Sequence, residues 1–102
     1  MDIEAAVKAL RDEGYIEGEL FVNPLWYIIW EPDYLAEYNK DYELDKYAPG
    51  FTAFGSNGGN EILVVDEKGA VYTIPAIGMD PKYADKISKR ISELRKFMER
   101  NT

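Results

Sequence analysis

The sequence predicts an α+β fold, an antiparallel β-meander sheet packed against helices, with a long amphipathic C-terminal helix. Three observations carry this. Residues 51–75 hold three short runs of strand formers separated by turn residues. Residues 20–30, LFVNPLWYIIW, add a further aromatic and β-branched run. Residues 80–100 repeat apolar side chains every three or four positions, the spacing that puts them on one helix face.

In chain order, residues 2–13 read as a short helix. Asp2 can cap it, Ile3, Ala6, Val7 and Leu10 share a face, and Gly14 ends it. Tyr15 to Glu19, with Gly18, reads as a turn. Residues 25–30 form the better strand of the next run, because Pro24 confines its own position to an edge, an end or a bulge. Pro32 suits the first turn of a helix over 32–40, where Leu35 and Tyr38, and Tyr34 and Tyr38, are helical neighbours. Asp41 to Tyr47 is acidic and aromatic and carries no assignment. Pro49-Gly50 signals a turn. Strands follow at 51–54, 61–66 and 70–75, joined by short turns. Asp80 and Pro81 open the expected last helix, with Tyr83, Ile87, Ile91, Leu94 and Met98 on one face.

The 102 residues suit one domain spanning 1–102, able to bury about 65% of its unfolded surface. Hydrophobic residues make up 46%, enough for a packed core rather than a disordered tail. No signal-like apolar run opens the chain, and LWYII is far shorter than the roughly 20 residues a bilayer span needs. The expected protein is soluble and cytosolic, without a membrane role, and the absence of cysteine fits that compartment.

Charge is unevenly spread. Residues 1–81 hold 5 basic and 16 acidic side chains, whereas residues 82–102 hold 7 basic and 3 acidic. An acidic body disfavours direct nucleic-acid binding and favours a basic protein partner.

Catalytic and cofactor signatures fail one after another. FGSNGGN at 54–60 is not a phosphate cradle, because Asn60 and Glu61 stand where Lys-Ser/Thr is required and a strand, not a helix, follows. Nor does it match GxGxxG. With no histidine, Ser56 has no histidine base, and with no cysteine either, zinc sites of the structural type fail. Asp41, Glu43 and Asp45 alternate as in a calcium loop, but Lys46 occupies the position that needs glycine. The expectation is no enzyme, no cofactor and no metal. Asn57-Gly58 instead marks a tight turn, with Gly55 and Gly59 at bulge or close-approach positions.

The densest remaining feature is aromatic. Trp26, Tyr27, Trp30, Tyr34, Tyr38, Tyr42 and Tyr47 crowd into 22 residues, among Glu31, Asp33, Glu37, Asp41, Glu43 and Asp45. Acidic neighbours oppose base stacking. Two readings stay open: an aromatic core, or a protein interface with tyrosine and tryptophan anchors ringed by carboxylates.

The segment YAPGFTAFGSNGGNEILVVDEKGAVYTIPAIGM, residues 47–79, resembles the SUKH superfamily, in its bacterial Smi/Knr-like branch. Pro49-Gly50, Phe54 through Gly59 and Val71 through Pro75 match its turn, its Phe-Gly-Ser-Asx-Gly-Gly motif and its following strand. Upstream, Trp30, Leu35, Asn39 and Tyr42 match its aromatic strand and following helix. Downstream, Ile87, Ile91, Leu94 and Phe97 occupy the place of its C-terminal helix. Residues 1–19 are shorter than the family's opening helical segment and lack its Leu-Pro motif, and Asn60 stands where a glycine or an acid is common.

The resemblance implies a non-enzymatic binding domain, in many bacterial members an immunity protein that neutralises a nuclease-like toxin. The expected contacts are Trp30, Glu31, Asp33, Glu37, Asp41, Glu43, Asp45, Ser56, Asn57 and Asn60, covering a basic surface of the toxin. Pro49, Gly50, Gly55, Gly58 and Gly59 are expected to shape turns. The alternative is a structural module, with a homodimer covering what the missing helices would have covered.

Overall fold

A computed structural model describes residues 2–100. α1 (Ile3–Asp12) is capped by Asp2, whose carboxylate accepts the Ala5 N–H at 3.1 Å, and it buries Val7 and Leu10. β1 (Glu17–Glu19) lies where a turn was expected. It pairs antiparallel with β2 (Trp26–Ile29), with Gly18 opposite Tyr27. A 3₁₀ turn at Pro32–Tyr34 leads into α2 (Leu35–Asp41), and α3 (Leu44–Tyr47) follows at once. β3 (Thr52–Ser56), β4 (Glu61–Val65) and β5 (Val71–Pro75) come next, then a 3₁₀ turn at Pro81–Tyr83, β6 (Asp85–Ser88) and 3₁₀ turns over Ile91–Phe97.

All six strands join one antiparallel sheet, and their spatial order is their chain order. The sheet curls. Residues 97–99 return to the outer edge of β1, where Leu20 bridges Met98, the Phe21 N–H donates to the Phe97 carbonyl at 2.7 Å, and the Glu99 N–H donates to the Glu19 carbonyl at 2.9 Å. The Tyr27 hydroxyl completes the seam by donating to the Glu99 carbonyl at 2.6 Å. Burial pushes that phenol's pKa up. Because the sheet wraps on itself and helices cover it, β3 and β4 are buried along nearly their whole length rather than at alternate positions. One apolar cluster results, with Tyr27, Phe54, Ile62, Leu63, Ile74 and Leu94 among its fully enclosed side chains.

The long amphipathic C-terminal helix expected over 80–100 does not form, so the fold class inferred from the sequence is corrected. The longest described helix is α1, with 10 residues. Two causes are visible. β5 needs a hydrogen-bonding partner on its second edge, and β6 supplies it by pairing Val71 with Ser88 and Tyr72 with Lys86. Beyond β6, Ser88, Ile91 and Leu94 are buried at a spacing of three, the period of a 3₁₀ helix, while Tyr83 stays exposed. The positions matched to the family's C-terminal helix are likewise divided, Ile87 on β6 and Ile91, Leu94 and Phe97 on the 3₁₀ turns.

No helix among the described residues is long and apolar enough to cross a membrane.

Candidate functional site

The acidic, aromatic stretch builds a corner around Trp30. Backbone pairing continues past β2, because the Trp30 N–H donates to the Phe54 carbonyl at 3.1 Å. The indole is buried and stacks almost parallel on Tyr42, 5.8 Å between centroids, and tilts against Tyr38 at 4.6 Å. Tyr34 meets Tyr38 edge-on at 6.3 Å. These offset and edge contacts suit aromatic quadrupoles. Trp30, expected as a partner contact, is therefore a pedestal whose ring is largely enclosed. The exposed aromatics here are Tyr34 and Tyr38.

Between α2 and α3 the chain turns through Glu43, whose φ of 56° is left-handed. A non-glycine residue there carries backbone strain. Its carbonyl accepts the N–H groups of Lys46 and Tyr47, both at 3.0 Å, which starts α3.

This corner forms one wall of a groove of about 520 Å³. Asp41, Glu43 and Tyr47 stand on that wall, and Asp80, Lys82 and Tyr83 on the facing one, with buried Met79 between them. Asp80 accepts the Lys82 N–H at 3.0 Å, and the Lys82 ammonium sits 5.1 Å from the Tyr83 ring centroid. The Lys46 ammonium sits 5.0 Å from the Tyr47 ring centroid, so three carboxylates stand with two lysines beside exposed tyrosines. Carboxylates in excess over lysines are the chemistry that receives arginine and lysine side chains. Among the described residues, no three of the acidic groups converge as metal ligands, so the alternation of Asp41, Glu43 and Asp45 does not close into a cation loop.

The other expected contacts are dispersed. Glu31 and Asp33 border a shallow depression of about 300 Å³ beside Lys8 and Arg11, and Glu31 pairs with Arg11 at 3.7 Å. Asp45 opens on a different groove, next to Asp2 and Glu4. Glu37 is exposed on α2.

The polar residues of the glycine loop turn toward their own backbone. Ser56 Oγ accepts the Gly58 N–H at 3.2 Å, and Asn57 Oδ1 accepts the N–H groups of Gly59 and Glu61 at 2.8 and 3.1 Å. Asn60 is exposed, and its carbonyl takes the Ala76 N–H at 2.7 Å. Gly58 has φ 77°, as the turn requires. Gly55 allows close approach: a Cβ there would lie 2.5 Å from the Ile28 carbonyl oxygen. Pro49 and Gly50 are exposed ahead of β3, Gly50 with φ 88°, and Gly59 is exposed within the loop.

Sequence reasoning missed the facing wall. The apolar periodicity puts Tyr83 on one face of a helix and gives Asp80 only the role of its cap. The signal available was Gly78 shortly before Asp80-Pro81, which marks a loop able to carry exposed residues. No model of a known protein family matches this chain, and no curated protein is detectably similar to it.

Proposed function

We propose that this chain is a non-enzymatic, SUKH-like protein-binding domain that acts in the cytosol as an immunity-type protein, covering a basic surface of a nuclease-like toxin. One observation carries the proposal. Asp41, Glu43 and Asp80 surround a groove walled by Tyr47 and Tyr83, and they outnumber its lysines, Lys82 on the lining and Lys46 against the Tyr47 ring. A basic cleft evolved to hold phosphates would meet there the charge and aromatic surface it needs. The family resemblance is supported by the Phe54–Gly59 hairpin turn, by the stacking of Trp30 on Tyr42 and by the bond from Asn39 to the Leu35 carbonyl.

The test is capture from the native host at low and high salt, with the wild type and with Asp41→Lys/Glu43→Lys. The captured protein should be basic and toxic alone, and should lose its activity when the domain is added. Binding should fall steeply with salt and with charge reversal. A captured protein without toxic activity, or one indifferent to both changes, would overturn the reading.

A second reading, self-association, is favoured by the loop between β1 and β2, where Phe21 and Leu25 are 62% and 63% exposed beside Trp26. Light scattering at high concentration decides it, since a monomer removes it.

A further inference from the structure

A second concavity lies apart from the groove just described. It measures about 680 Å³ and sits between the first turn of α1, the helices α2 and α3, and the start of β3. Ile3, Leu35 and Phe51 give it an apolar lining, with Leu35 buried and the other two half-buried. Asp2, Glu4 and Asp45 line it as well, all exposed, and no lysine or arginine does. Among the described residues none of these three carboxylates takes part in a salt bridge.

Of its other polar side chains, Thr52 offers a single hydroxyl and Asn39 is already engaged. The amide donates to the carbonyls of Leu35 and Ala53 and accepts the Ala53 N–H. Side-chain hydrogen bonding to an occupant therefore falls mainly to the carboxylates, which only accept. An anion would be repelled. A purely apolar occupant would strip water from carboxylates and return nothing for it. The matching occupant joins an apolar side chain to neighbouring cations. The volume lies within the roughly 300–1,000 Å³ typical of ligand pockets. Residues 35–47 contribute to this groove and to the Asp41–Tyr83 groove alike, so a partner laid across α2 and α3 reaches both.

We infer that the groove between α1 and α2–α3 seats a second segment of the basic partner, an aliphatic or aromatic side chain flanked by lysine or arginine. This rests on the partner-binding reading above, and it names a separate subsite with its own specificity.

The experiment titrates isotope-labelled protein with a hexapeptide of alternating lysine and leucine, against hexalysine and an alternating glutamate–leucine peptide. Amide shifts should gather at residues 2–4, 35–39, 45 and 51–52. Hexalysine should bind about tenfold more weakly, and the acidic peptide not at all. Ala36 lines the groove at an exposed helical position, so Ala36→Arg should leave the rest of the spectrum unchanged and weaken the peptide about tenfold. Asp41→Lys should change the affinity by no more than about threefold.

Equal binding of hexalysine, or indifference to Ala36→Arg, would overturn the subsite by reducing it to diffuse attraction. Concentration-dependent shifts at the same residues without peptide would overturn it in favour of a second copy. Shifts confined to the Asp41–Tyr83 groove would overturn this inference and leave the partner-binding reading standing. That reading falls separately, if host capture yields no basic toxin.

Discussion

The side-chain amide of Asn39 stands beside Ala53 as a neighbouring strand would. Its nitrogen donates to the Ala53 carbonyl at 2.9 Å, and its oxygen accepts the Ala53 N–H at 2.7 Å. A third bond, to the Leu35 carbonyl at 2.8 Å, ties the same amide to its own helix. Ala53 is fully buried next to the irregular pairing of β3 with β4 between Ala53 and Gly55. Asn39 therefore clips α2 onto the sheet where the strand ladder is disturbed. Asn39→Ala leaves two buried backbone groups without these partners and should cost about 2–4 kcal/mol in urea unfolding. Asn39→Asp should be comparably damaging at neutral pH, since a carboxylate cannot donate to the Ala53 carbonyl.

Gly55 in β3 and Gly59 in the β3–β4 loop should separate sharply in thermal unfolding. Gly55→Ala puts a Cβ 2.5 Å from the rigid Ile28 carbonyl and should cost about 2–4 kcal/mol, because β2 and β3 must part. Gly59→Ala meets the Asn57 side chain only at ordinary contact distance, 3.4 Å, and should change stability by less than about 1 kcal/mol.

Asp66 organises the turn between β4 and β5. Burial pushes its carboxyl pKa up, but the N–H groups of Ala70 and Lys68 and the Tyr72 hydroxyl outweigh this and hold it below the usual value. A carboxyl depressed in the folded state stabilises fully above its unfolded pKa, about 3.9, and loses that contribution as pH falls through the folded value. Asp66→Asn should therefore flatten the stability loss of the wild type below about pH 4, read from urea midpoints across pH. A stability difference between the two proteins that stays constant down to pH 2 would contradict this assignment.

Glu43 joins strain and charge at one position. Glu43→Gly should relieve the left-handed backbone and raise stability by up to about 1 kcal/mol, while weakening the basic partner. Asp41→Lys/Glu43→Lys should leave folding within about 1 kcal/mol and reduce partner affinity about tenfold or more at low salt, measured by calorimetry.

Where local chemistry decided the structure, the sequence was readable. Asp2 and Gly14 bracket α1, Pro32 opens the turn into α2, and Asn57-Gly58 reverses β3 into β4. Residues 85–97 were not readable in this way, because apolar spacing of three and four fits both a helix and the strand-plus-3₁₀ arrangement. The choice was made by the open edge of β5, a non-local demand invisible in a window of that length. The candidate site was half visible for the same reason. Asp41 and Glu43 stand out in an acidic run, but Asp80 and Tyr83 join them only through the path of the chain after β5.

The seam between β1 and residues 97–99 has a consequence for synthesis. Ribosomes deliver β1 well before its edge partner at residues 97–99. Until residues 97–99 are made, that edge presents unpaired N–H and C=O groups beside exposed Phe21 and Leu25. The nascent chain is therefore most open to mispairing and to chaperone capture before residues 97–99 emerge.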